Sequence, residues 1–188
     1  MDNVLLLAVA SNLILFVVLL VFYATRVKRV GPNGAIVVSG RADRAARITD
    51  EGVPFRVVIG GRTFIWPIVE TYAILSLEPV RAQFKLDGLV TGDGKRVSLA
   101  GKVQYKVPAE KAAVIKAAEH FLTKSEEEKK ALVMELFESS LRRVVEEITK
   151  EEIEQLPVEF GDRVVEVGQP KLEEVGVKVM SLIIEGVI

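Results

Sequence analysis

The stretch Val80–Pro108, VRAQFKLDGLVTGDGKRVSLAGKVQYKVP, alternates apolar and polar side chains twice over. Val80, Ala82, Phe84 and Leu86 alternate with Arg81, Gln83, Lys85 and Asp87. Farther on, Val97, Leu99, Val103, Tyr105 and Val107 alternate with Ser98, Lys102, Gln104 and Lys106. A period of two sends successive side chains to opposite faces of a strand, so these are two half-buried antiparallel strands. Gly92-Asp93-Gly94 lies between them, and its Asp-Gly pair is expected to supply the positive φ angles of a tight hairpin.

Beyond Pro108 the period lengthens to 3.6. Glu110 to Leu122 places Ala112, Ile115, Ala118, Phe121 and Leu122 on or near one side of a helix. Ser125-Glu126-Glu127-Glu128 is a capping box and opens a second helix. In it Leu132, Val133, Leu136, Phe137, Leu141, Val144, Val145 and Ile148 form one apolar stripe. Thr149-Lys150-Glu151-Glu152 repeats the box, and Pro157 must interrupt or restart the helix that follows, because proline has no amide proton. Gly168-Gln169-Pro170 predicts another break, and Val177 to Ile184 a last strand.

Upstream of Val80, shorter strands are expected at Ala35 to Ser39, Arg56 to Ile59 and Tyr72 to Leu77. Gly31-Pro32-Asn33-Gly34 and Gly60-Gly61 punctuate them. The soluble part thus divides into a strand-rich stretch, residues 30–108, a helix-rich stretch, residues 109–176, and a final strand at 177–184. Charge divides similarly: eleven basic and seven acidic residues over 30–108, net +4, against eleven basic and eighteen acidic over 109–188, net −7. The basic part either lies against anionic lipid, at about 1 kcal/mol per cation, or forms an ordinary solvated surface.

The N-terminus is of another kind. Val4 to Tyr23 carries no charge, and fifteen of its twenty positions are Val, Leu, Ile or Phe. Twenty helical residues reach roughly 30 Å, the thickness of a bilayer's hydrocarbon core. Insertion of fifteen such side chains is favourable by several kcal/mol in total, at about −0.3 to −0.6 each. The start Met1-Asp2-Asn3 lacks the basic region of a cleavable signal peptide. Arg26, Lys28 and Arg29 follow the span and no cation precedes it, so the positive-inside rule expects the N-terminus outside and residues 30–188 in the cytoplasm. Residues 1–29 are then a single-pass anchor with its basic flank. Asn12 is either a tolerated polar residue or an interhelical hydrogen-bonding group in an oligomer, worth about 1 kcal/mol.

The composition excludes several chemistries. There is no Cys, so disulfides, thiolate metal sites and S-acyl anchors are ruled out. With 25 Lys+Arg against 26 Asp+Glu, the chain lacks the basic balance of a nucleic-acid binder. His120 is the single His and is expected to pack on a helix face. Gly88 to Lys95 has neither the spacing nor the hydroxyl residue of a phosphate loop. Ser139 and Ser140 lie inside a helix, not on a strained elbow. No enzyme signature, metal site or cofactor site is found. Phe64-Ile65-Trp66-Pro67-Ile68-Val69 stands out as an apolar segment: either a core strand and turn, or a wedge into the headgroup region beside the basic half, with Phe64, Ile65, Trp66, Arg26, Lys28 and Arg29 as the expected membrane contacts.

An apolar span is followed by Val30-Gly31-Pro32-Asn33-Gly34-Ala35-Ile36-Val37-Val38-Ser39-Gly40 and by Gly60-Gly61-Arg62-Thr63-Phe64-Ile65-Trp66-Pro67. Then come Ala117 to Ser125, Leu141-Arg142-Arg143, Thr149 to Ile153 and Gly176 to Leu182. This order resembles the flotillins of the stomatin/prohibitin/flotillin (SPFH) superfamily over essentially the whole chain after the span. The resemblance implies an α+β fold, an antiparallel sheet with packed helices preceded by one transmembrane helix. It also implies a homo-oligomeric scaffold at the cell membrane that organises lipids and other membrane proteins into microdomains, with no reaction of its own. A second role known among superfamily relatives, regulatory subunit or adaptor of a membrane protease, is the alternative. Flotillins continue into an Ala/Glu-rich coiled coil, whereas this sequence stops at Ile188. The span is expected to replace the acylated cysteines of some relatives. Pro157, Gly161, Gly168 and Pro170 fall in a region the family builds as helix, so a kink or shortening is expected there.

Overall fold

The computed structural model describes residues 2–40, 55–155 and 157–187. Packing divides the chain into two compact units, residues 1–74 and 75–188.

In the first unit, α1 (Asp2–Arg26) runs directly into β1 (Val27–Ser39), with no residue between helix and strand. The apolar window Val9–Arg26 of this helix is long and apolar enough to cross a membrane, and none of it is buried. β2 (Phe55–Phe64) pairs antiparallel with β1, and β3 (Thr71–Ser76) completes a sheet of order β2-β1-β3. Both long strands outrun the sequence expectation. Gly31-Pro32-Asn33-Gly34 does not end a strand: it forms a bulge inside β1, between the pairs Val30↔Gly61 and Ala35↔Ile59. Gly60 and Gly61, at φ 62° and 94°, let β2 bend with it. Beyond the bulge Ala35 to Val38 are at most 3% exposed, so this stretch reads as a continuous apolar run instead of an alternation.

In the second unit, β4 (Val80–Val90), β5 (Arg96–Lys106) and β6 (Lys178–Val187) form an antiparallel sheet of order β4-β5-β6. The apolar alternation is realised: Ala82, Phe84, Leu86, Val97, Leu99, Val103 and Tyr105 all point inward and are buried, while Val80 remains exposed at the strand's start. The β4–β5 connection is not a two-residue turn. Thr91 N–H donates to Lys95 O at 2.9 Å and Gly94 N–H to Thr91 O at 2.8 Å, leaving a three-residue loop in which only Gly94 takes a positive φ, 79°. Such loops place one left-handed residue after a type I turn, so one glycine suffices.

Of the helices α2 (Lys111–Phe121), α3 (Glu126–Glu147), α4 (Lys150–Gln155) and α5 (Pro157–Glu174), α3 and α5 cover the inner face of this sheet, and α4 packs on α5. Phe137 of α3 packs on Phe84, ring centroids 5.3 Å apart, and the space at Gly161 of α5 is bounded by Leu182 of β6. Both predicted boxes form. Glu128 N–H donates to Ser125 Oγ at 3.2 Å while Ser125 N–H donates to Glu128 Oε2 at 2.7 Å, and Thr149 and Glu152 repeat the exchange. The break expected at Gly168-Gln169-Pro170 does not occur, nor does the shortening. α5 continues through all three to Glu174. Gly168 is there for proximity, since a Cβ would stand 3.2 Å from the Ser140 Cβ of α3. Pro170, exposed, gives up one helical hydrogen bond without stopping a helix held by its buried Phe160, Val164 and Leu172.

Candidate membrane-facing site

The first unit concentrates aromatic and cationic side chains where α1 meets the sheet. α1 places Phe22, Tyr23 and Arg26 in its last turn; β1, starting at once, places Lys28 and Arg29 one and two residues into the strand. The register Val27↔Phe64 then brings the end of β2 beside the helix terminus, and Ile65 N–H donates to the Arg26 carbonyl at 3.2 Å. Tyr23 stacks on Phe64 with centroids 5.6 Å apart, and Phe64 meets Trp66 edge to face at 5.5 Å. The Arg26 guanidinium lies 5.4 Å from the Phe22 ring centre and the Lys28 ammonium 5.6 Å from that of Tyr72. An aromatic ladder bordered by cations is the composition found where a protein crosses a headgroup layer.

Above the ladder, Trp66 to Glu70 form a tied turn. Glu70 N–H donates to the Trp66 carbonyl at 3.1 Å, and the Glu70 carboxylate accepts from Trp66 N–H at 2.9 Å. That carboxylate also faces Arg56 at 3.5 Å, and Arg56 Nη2 donates to the Phe64 carbonyl at 3.1 Å. The turn's apex is Ile68, wholly exposed and at φ 73°, the one non-glycine residue with positive φ among the described residues. A β-branched residue in the left-handed region costs about 1–3 kcal/mol, so its neighbours hold it there. Gly40, at φ 116°, supports the turn: a Cβ on it would lie 2.4 Å from the Val69 carbonyl oxygen. An open cleft of ≈ 430 Å³ lies below, lined by Tyr23, Ala24, Val27, Arg29, Arg62, Thr63 and Phe64.

The structure thus separates the residues that the sequence grouped. Phe64 is half-buried inside the ladder, Trp66 is 50% exposed, and Ile65 turns inward at 6% exposure, since neighbouring side chains of an extended segment point to opposite sides. Arg26 and Arg29 are exposed and Lys28 is half-buried under Tyr72. Asn12 lies on the exposed surface of α1. His120 sits on the exposed side of the last turn of α2. Ile68 lies in the apolar segment that the sequence marks, but its left-handed backbone and the part of Tyr72 are not readable there; the proline at 67 signals a turn, but not the sign of the next φ.

The description "SPFH domain / Band 7 family" matches residues 28–187, which begin two residues after α1. The chain belongs to the SPFH domain / Band 7 family. Its relatives include flotillin-2 of Carassius auratus, 32% identical over 158 residues, or 84% of this chain and 35% of that protein. The flotillin-like protein FloT of Bacillus subtilis is 26% identical over 175 residues, 92% of this chain and 34% of that one. Flotillin-1 of Drosophila melanogaster is 31% identical over 156 residues. The chain spans about a third of the length of these curated relatives. In this SPFH chain the family match takes in the sheets of both units, and α1 lies outside it.

Proposed function

We propose that this SPFH chain is a single-pass membrane scaffold. Residues 1–29 are the anchor and its basic flank, and residues 30–188 are the domain held on the inner leaflet. There it self-associates side by side and organises lipids and membrane proteins into microdomains, without catalysis. The observation that carries the reading is the Tyr23–Phe64–Trp66 ladder, set where an apolar helix long enough to span a bilayer turns directly into a strand. Phe64, Trp66, Ile68 and Val69 are the proposed apolar contacts, and Ile65 supports them from inside.

Magnitudes favour lipid over water at the turn. Burying an Ile side chain is worth about 1.5–3 kcal/mol, comparable with the strain of its backbone. Arg26, Lys28, Arg29 and Arg62 add about 1 kcal/mol each beside anionic headgroups, provided they lie within the screening length. Confinement of tethered domains to a plane raises their effective concentration, so weak lateral contacts suffice for assembly.

Protease added outside sealed, inside-out membrane vesicles tests the topology. The reading expects residues 30–188 to be digested there and protected in right-side-out vesicles; the opposite pattern contradicts it.

A further inference from the structure

The second unit has two faces of opposite charge. The inner face of the β4-β5-β6 sheet is covered by helices, whereas its outer face is open. Outward from that face stand Arg81, Arg96, Lys106 and Lys178, none of which makes an ion pair with any described residue. Two further cations are already matched, Lys85 by Asp87 and Lys102 by Glu185. Lys106 and Lys178 are direct register partners across β5 and β6, an arrangement that is destabilising unless an anion lies over it. On β6, an edge strand, Met180 and Ile183 are 50% and 56% exposed, giving the charged face an apolar rim.

The complement is in the same polypeptide. From Glu126 to Glu174 the helices hold fifteen Asp or Glu against seven Lys or Arg, net −8. Glu135, Asp162 and Glu166 are exposed on that layer and make no ion pair with described residues. Because the helices cover the sheet's inner face, this acidic layer and the basic face point away from each other.

We propose that the open face of the β4-β5-β6 sheet docks on the acidic helical layer of a second copy of this chain. The contact is front to back, so each subunit offers one surface to each neighbour, and repetition gives a row or a closed ring. Opposed potentials fix the orientation, and like-charged front-to-front encounters are rejected. The proposal rests on the scaffold reading above and names the surfaces that self-association uses.

Two full-length variants test it, expressed in membranes and followed by cross-linking into multi-subunit ladders. One reverses the sheet (Arg81→Glu, Lys106→Glu, Lys178→Glu); the other reverses the helical layer (Glu135→Lys, Asp162→Lys, Glu166→Lys). Each alone is expected to lose the ladder. Co-expressed with different tags, they are expected to regain it as an alternating assembly, because every reversed sheet then meets a reversed layer. Circular dichroism and melting of the purified variants show that each folds, and the milder Arg81→Gln, Lys106→Gln, Lys178→Gln variant is expected to shorten the ladder. Ladders unchanged in both reversed variants overturn the proposal. So does a folded sheet variant that is not rescued by its mate, which would assign the face to anionic lipid, read directly as lost flotation with phosphatidylserine vesicles. Absence of any ladder from the unaltered chain removes the scaffold reading itself, a result distinct from failure of the interface alone.

Discussion

Ile68 combines a left-handed backbone with a side chain wholly in solvent. In water each property is unfavourable, and lipid relieves the second. Ile68→Gly is therefore expected to hold or raise the melting temperature of the chain while weakening its flotation with anionic vesicles; weakened flotation together with a lowered melting temperature would assign Ile68 to folding. Gly176 is the opposite kind of residue. At φ 74° it closes α5, with Gly176 N–H on Glu173 O at 3.2 Å and Val177 N–H on Leu172 O at 2.8 Å, and a Cβ there would fall 2.2 Å from the Ala113 carbonyl oxygen. Gly176→Ala is expected to cost about 2–5 kcal/mol, strain and overpacking together, seen as a lower urea midpoint. Neither role was legible in sequence. A turn can be read from Pro67 and Gly176, but the sign of φ at an isoleucine and the approach of a carbonyl 63 residues away depend on tertiary packing.

At the scale of elements, local chemistry was most readable. The boxes at Ser125 and Thr149 and the alternation of β4 and β5 are satisfied within a few residues, so pattern and structure agree. Non-local pairing was less readable. The bulge in β1 pairs with a bend in β2, and position 168 is a glycine because α3 brings Ser140 against it. Pro170→Ala should restore one hydrogen bond in α5 and stabilise the chain by up to about 3 kcal/mol, measured by urea unfolding; destabilisation would mean that the ring packs usefully.

The β4–β5 hairpin is latched to the α3–α4 junction by Gly92 N–H on the Ile148 carbonyl at 2.8 Å and by Lys95 between Asp93 and Glu151. Hydrogen bonds from Thr91 and Lys95 hold the Asp93 carboxyl down at about 2, and those to Glu151 and Asp93 push Lys95 up to about 12. Glu128, Glu151 and Glu152 are also lowered, by bonds from Ser125, Lys95 and Thr149 respectively. Because these carboxyls titrate lower when folded, their stabilisation is complete above the unfolded carboxylate range, near pH 4, and drains away as pH falls toward 2. Lys95 works in the reverse sense: its share is complete below about pH 10 and is lost as pH climbs through 12. Urea midpoints measured against pH should show both limbs, and Asp93→Asn should flatten the acid one; an unchanged acid limb would exclude Asp93 as a contributor.

Across the whole molecule, the family and the long apolar helix were legible because they rest on ordered motifs and on twenty uncharged residues. The candidate site was legible only as a segment. Phe64-Ile65-Trp66 is one apolar run in sequence, and only the fold shows that its middle residue turns inward while its neighbours join an aromatic ladder with Tyr23. The chain contains a single tryptophan, Trp66, so its fluorescence reports that site without mutation. Full-length protein reconstituted in vesicles with lipids brominated just below the headgroup provides the measurement. Strong quenching of Trp66 with a blue-shifted emission is the result expected of a turn seated in the bilayer interface. Emission untouched by brominated lipid, yet quenched freely by aqueous iodide, would place Trp66 in water and contradict the account.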